Sequence, residues 1–87
     1  MEESDLEKIA GFAELQFTPE QIAVIMEIEP KAFEEPDVEK AFYRGRLRAQ
    51  AEVRAQIKQL AIQGSTPAQK QFLTLVEESA YLDAHDT

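Results

Sequence analysis

Apolar positions recur at three- and four-residue spacing, with no run of alternating apolar and polar residues, so the pattern predicts helices throughout. Leu6, Ile9, Ala10, Phe12 and Ala13 give a first helix its apolar face, with Ser4 as cap, Glu7 as the reciprocal partner and an end near Gln16. Thr18-Pro19-Glu20-Gln21 is a sharper start signal. Thr18 can cap, Pro19 fits the first helical position where its missing N–H costs nothing, and Gln21 completes a capping box. The helix it opens, 19–27, turns Ile22, Ile25 and Met26 to one side while Ala23 and Val24 fill much of the rest. A surface so broadly apolar is expected to be deeply buried or covered by a neighbouring subunit.

Pro30 starts a stubby third helix to about Glu34, and Pro36 opens a much longer one, 37–63, which Gly64 ends as a left-handed cap. Thr66-Pro67-Ala68-Gln69 repeats the earlier start signal, with Thr66 as cap, and leads into a last helix to about Leu82. The pattern therefore predicts an all-α fold. Small helix-turn-helix-like helices in 1–35 precede a long helix and an antiparallel C-terminal helix in 36–83, the expected oligomerisation region, with 84–87 as a disordered tail.

On a wheel of about 100° per residue, Val38, Phe42, Gly45, Ala49, Val53, Ile57 and Leu60 share one arc of the long helix. Lys40, Arg44, Arg48, Arg54 and Lys58 gather on the opposite side, with Arg46 nearer the apolar border. Gly45 costs about 1 kcal/mol relative to Ala in a helix, so a close helix–helix approach, within the chain or between subunits, is the expected compensation. Ile22, Ile25, Met26, Gly45 and Ala49 are accordingly the candidate oligomer interface.

With 87 residues the chain makes one small domain, and a chain of this size buries only about 60% of its unfolded surface. It contains no cysteine and a single histidine, His85, in the expected tail, so thiolate metal sites and a histidine-centred catalytic arrangement are not expected. No glycine-rich phosphate loop is present, and neither catalytic residues, a metal nor a cofactor is expected. No apolar run reaches the ~18 residues of a membrane span, and the acidic start is unlike a signal peptide, so a soluble intracellular protein without a membrane partner is expected.

The net charge of −8 conceals a strong asymmetry. Residues 1–39 carry a net −10, residues 40–58 a net +5 and residues 59–87 a net −3. The basic middle can face phosphates, and Lys40, Arg44, Arg48, Arg54 and Lys58 are the candidate nucleic-acid contacts; it can equally be a solvated face whose cations offset the acidic helices. The segment Glu29-Pro30-Lys31-Ala32-Phe33-Glu34-Glu35 stands where a helix-turn-helix would read DNA, and it is too short and too acidic for a major groove.

Phe17-Thr18-Pro19-Glu20-Gln21-Ile22-Ala23, then Phe42-Tyr43-Arg44-Gly45-Arg46-Leu47-Arg48-Ala49-Gln50-Ala51-Glu52, then the Gly-Ser-Thr-Pro-Ala-Gln turn at 64–69 and an apolar last helix form an ordered series. In this order the sequence resembles phage terminase small subunits. The resemblance implies a non-enzymatic DNA-packaging adaptor in the host cytoplasm, a homo-oligomeric ring larger than a dimer. Its implied partners are the large terminase subunit and double-stranded DNA, the latter through backbone contacts. A helix-turn-helix transcription regulator is the alternative, as is an acidic protein–protein interaction module such as an anti-repressor or DNA mimic. The acidic 29–35 segment departs from the family's pattern and counts against the regulator.

Overall fold

A computed structural model of the chain describes residues 1–85 and is all-α. Four helices follow in order: α1 (Glu3–Glu14), α2 (Pro19–Met26), α3 (Pro36–Ile62) and α4 (Thr66–His85), with a 3-10 turn, Pro30–Glu34, between α2 and α3. Among the described residues there is no strand. The chain forms two units, Met1–Ala51 and the part from Glu52 onward, and the division falls inside α3. This differs from the expected boundary after residue 35, because Val38, Ala41 and Gly45 of α3 are buried with the first unit.

The core of the first unit is Ile9, Ala13, Ile22, Val38 and Ala41, with Leu6, Phe12, Phe17, Met26, Phe33 and Phe42 packed around it. Gly45 permits α3 to reach α1. A Cβ there would run into the Ala10 carbonyl oxygen and stand 2.8 Å from the Ala13 Cβ. The close approach expected of Gly45 is thus made within the chain.

The ends of α1 and α2 are closed by left-handed residues that are not glycine. After α1, Gln16 takes φ 71°, its N–H donates to the Ala13 carbonyl, and the Phe17 N–H donates to the Phe12 carbonyl. This is a Schellman closure, and its usual apolar contact is the edge-to-face pair of Phe12 and Phe17, with ring centroids 6.1 Å apart. Glu27 does the same after α2, at φ 57°, with the Ile28 N–H donating to the Ala23 carbonyl. The capping box of α2 forms as expected: the Gln21 N–H donates to Thr18 Oγ1 at 3.2 Å and the Thr18 N–H donates to Gln21 Oε1 at 3.0 Å.

Two expected caps are corrected. Helix α1 starts at Glu3, so Ser4 lies inside it, and no side chain caps it. Glu7, released from that role, turns to α3. At the other junction Gly64 is left-handed, φ 100°, as expected, and the Ser65 N–H closes the end of α3 on the Leu60 carbonyl. The same Ser65 already opens α4, accepting the Ala68 N–H on Oγ at 3.4 Å, so Thr66 falls within the helix. Gln69 reaches back and donates to the Ala61 carbonyl instead of completing a box with Thr66. Helix α4 runs through His85 where an end near Leu82 was expected, and positions 86 and 87 of the expected tail lie outside the described residues.

The second unit is a helical hairpin with a thin core. Among its described residues Ala68 is buried and Ile57, Ala61, Phe72 and Leu75 are half-buried, and Ile57 lines an open groove with Gln71, Thr74 and Leu75. Val53, Leu60, Ile62, Leu73, Val76 and Leu82 are all exposed. No helix of the described residues is long and apolar enough to cross a membrane.

Candidate functional site

The buried face of α3 leaves an outer face on the first unit that carries Lys40, Arg44 and Arg48. Two of these cations are engaged. Arg44 donates to Glu7 Oε1 at 2.8 Å, and Arg48 stands 3.5 Å from Glu7 Oε2, so one carboxylate of α1 holds both. All three side chains are substantially exposed, which limits such pairs to a few tenths of a kcal/mol up to about 1 kcal/mol. Lys40 has no ion pair among the described residues. The remaining cations of the expected stripe, Arg54 and Lys58, belong to the second unit, where both are exposed and unpaired among the described residues.

The cationic face is also apolar. Tyr43 and Leu47, 63% and 44% exposed, share one exposed face of α3 with Ala51, Lys40, Arg44 and Arg48. Sequence reasoning placed Tyr43 at the border and overlooked Leu47, although their four-residue spacing already set them side by side.

Arg46 has a different part. Its guanidinium donates to the Phe17 carbonyl at 2.9 Å and to Gln16 Oε1 at 3.3 Å, and lies 4.9 Å from the centre of the Phe42 ring. Phe42 in turn meets Phe33 edge to face at 6.1 Å. One side chain of α3 thereby holds the end of α1 and stacks on the aromatic that anchors the 3-10 turn.

The five residues expected at an oligomer interface separate into two groups. Ile22 and Gly45 are buried inside the first unit, so this part of the expectation is corrected: the core of the chain itself uses their surface. Met26 and Ala49 are half-buried, and Ile25 remains exposed beside Val24. The segment 29–35 holds only a five-residue 3-10 turn where a reading helix would stand. Among the described residues no cluster of His, Asp or Glu is arranged to hold a metal ion. Comparison with known proteins gives no match to any family model, curated protein or solved structure.

Proposed function

We propose that the chain is a non-enzymatic DNA-packaging adaptor of the small-terminase kind, a homo-oligomer that engages double-stranded DNA through backbone contacts and regulates a large terminase subunit. The observation that carries this reading is the second unit. A helical hairpin with Ala68 fully buried among its described residues and six large aliphatic side chains in water has little of the burial that ordinarily holds a helix pair together. Other copies of the chain supply that cover. The 3-10 turn at 30–34 favours the adaptor over a transcription regulator, since five residues give no helix for the major groove. Arg54 and Lys58 are the cations best placed for phosphate, exposed on the hairpin and unpaired among the described residues.

The test is particle mass in solution, followed by duplex binding at low salt. A ring of more than two copies that binds duplex DNA without sequence preference supports the adaptor. A stable dimer points to the regulator, and a 9.9 kDa monomer points to the acidic interaction module.

A further inference from the structure

The first unit carries two exposed apolar strips flanked by charges of opposite sign. On α2, Ile22 and Ala23 face the core, which leaves Val24 78% and Ile25 46% exposed. Glu20 precedes Val24 by four residues on the same face of α2, and Glu27 is exposed at the left-handed end of that helix. Neither carboxylate has an ion pair among the described residues, and α2 contains no cation. On α3, Tyr43, Leu47 and Ala51 share one exposed helix face with Lys40, Arg44 and Arg48.

We propose that this exposed face of α3 in one copy packs against the outer face of α2 from a second copy. Val24 and Ile25 pack on Tyr43 and Leu47, and Glu20 and Glu27 face Lys40, Arg44 and Arg48. Apolar cover and charge complementarity then act together, the first giving affinity and the second fixing which surfaces meet. The two surfaces differ, so the contact is heterologous. Each copy offers one of each, and repetition closes a ring or extends a filament. Both strips belong to Met1–Ala51. Nucleic acid fits this face less well, since phosphate needs no exposed leucine beside it. The inference rests on the homo-oligomeric part of the proposed function and assigns Lys40, Arg44 and Arg48 to protein rather than phosphate.

Charge reversal on exposed positions tests it. Glu20→Lys with Glu27→Lys makes one variant and Lys40→Glu with Arg48→Glu the other, each compared with the parent by sedimentation at low salt. Each variant alone is expected to self-associate roughly tenfold more weakly or worse, and an equal mixture to regain assembly, because each then supplies what the other lacks. Unchanged assembly of both variants overturns the contact and leaves the adaptor reading standing. A parent that remains monomeric overturns both. Weakening without recovery in the mixture shows that the strips do not meet, and loss of duplex binding with unchanged assembly in the second variant makes the α3 face a phosphate surface. The chain has no cysteine, which permits a second measurement that does not depend on reversed charges. Val24→Cys and Leu47→Cys copies, mixed under oxidation, are expected to cross-link to each other and not to themselves; absence of the mixed product in an assembling sample overturns the proposal.

Discussion

Gly45 stands against the backbone of Ala10, so close that a Cβ at position 45 would collide with the Ala10 carbonyl. Helices α1 and α3 therefore meet through backbone, and the obstacle to any side chain there is not one that can rotate away. Replacing Gly by Ala in an unconstrained helix gains about 1 kcal/mol. Here overpacking, about 1–3 kcal/mol, opposes that gain and exceeds it. Gly45→Ala is expected to lower the thermal midpoint by several degrees, as a loss of about 1 kcal/mol does in a chain of this size. A raised midpoint would mean that α1 and α3 are farther apart than the structure places them.

The junction of α3 and α4 yields a comparison of neighbouring residues. Gly64 at φ 100° has open space around it, so Gly64→Ala meets no atom but places an L-residue in a left-handed conformation. The expected loss is on the order of 1 kcal/mol. Ser65→Ala should cost up to about 1 kcal/mol through the lost cap, whereas Thr66→Ala should be close to neutral. Denaturant midpoints for the three variants decide whether Ser65 or Thr66 opens α4. A larger loss at Thr66 than at Ser65 would reverse the assignment.

What was legible in the sequence follows from which signals are unambiguous. Thr18-Pro19-Glu20-Gln21 has one physical reading, and α2 begins where it says. Pro36 and Gly64 bracket α3 for the same reason. The ends of α1 and α2 were blurred because Gln16 and Glu27 do what glycine usually does, and a sequence gives no local sign of that. Glu7 satisfied a capping pattern with Ser4, yet two guanidiniums offer a carboxylate more than one backbone N–H does. The wheel placed Gly45 correctly on the packed side but left its partner undetermined, and Ile22 and Gly45 went to the core of their own chain. Arg46 was visible only as an outlier, since its partners at Gln16 and Phe17 lie thirty and twenty-nine positions away in the chain.

Arg46 should matter more to stability than any cation of the outer face. It holds the Phe17 carbonyl and the Gln16 side chain while stacked on Phe42, a geometry that depends on a planar fork. Arg46→Ala is expected to cost roughly 1–2 kcal/mol, and Arg46→Lys to recover less than half of that. Arg48→Ala, which removes only an exposed pair, should cost below about 1 kcal/mol. Equal losses at both positions, measured by chemical denaturation, would show that Arg46 is another surface cation.

Duplex binding distinguishes the cations of the two units. If Arg54 and Lys58 meet phosphate, one copy neutralises two phosphates at most, and affinity depends on many copies presenting them to one strand. Each neutralised phosphate adds about −0.9 to the slope of log affinity against log salt, so binding by an assembled particle should fall steeply as salt rises. Arg54→Glu with Lys58→Glu is expected to abolish binding while the particle mass is unchanged. Glu7→Gln supplies the complementary measurement. It frees Arg44 and Arg48 from their shared carboxylate without adding bulk, and costs less than about 1 kcal/mol of stability because the pairs are exposed. With those arginines facing protein, Glu7→Gln should leave DNA affinity and its salt slope where they are. A several-fold gain in affinity with a steeper slope would mean that Arg44 and Arg48 reach the phosphate backbone, and that Glu7 normally holds them from it.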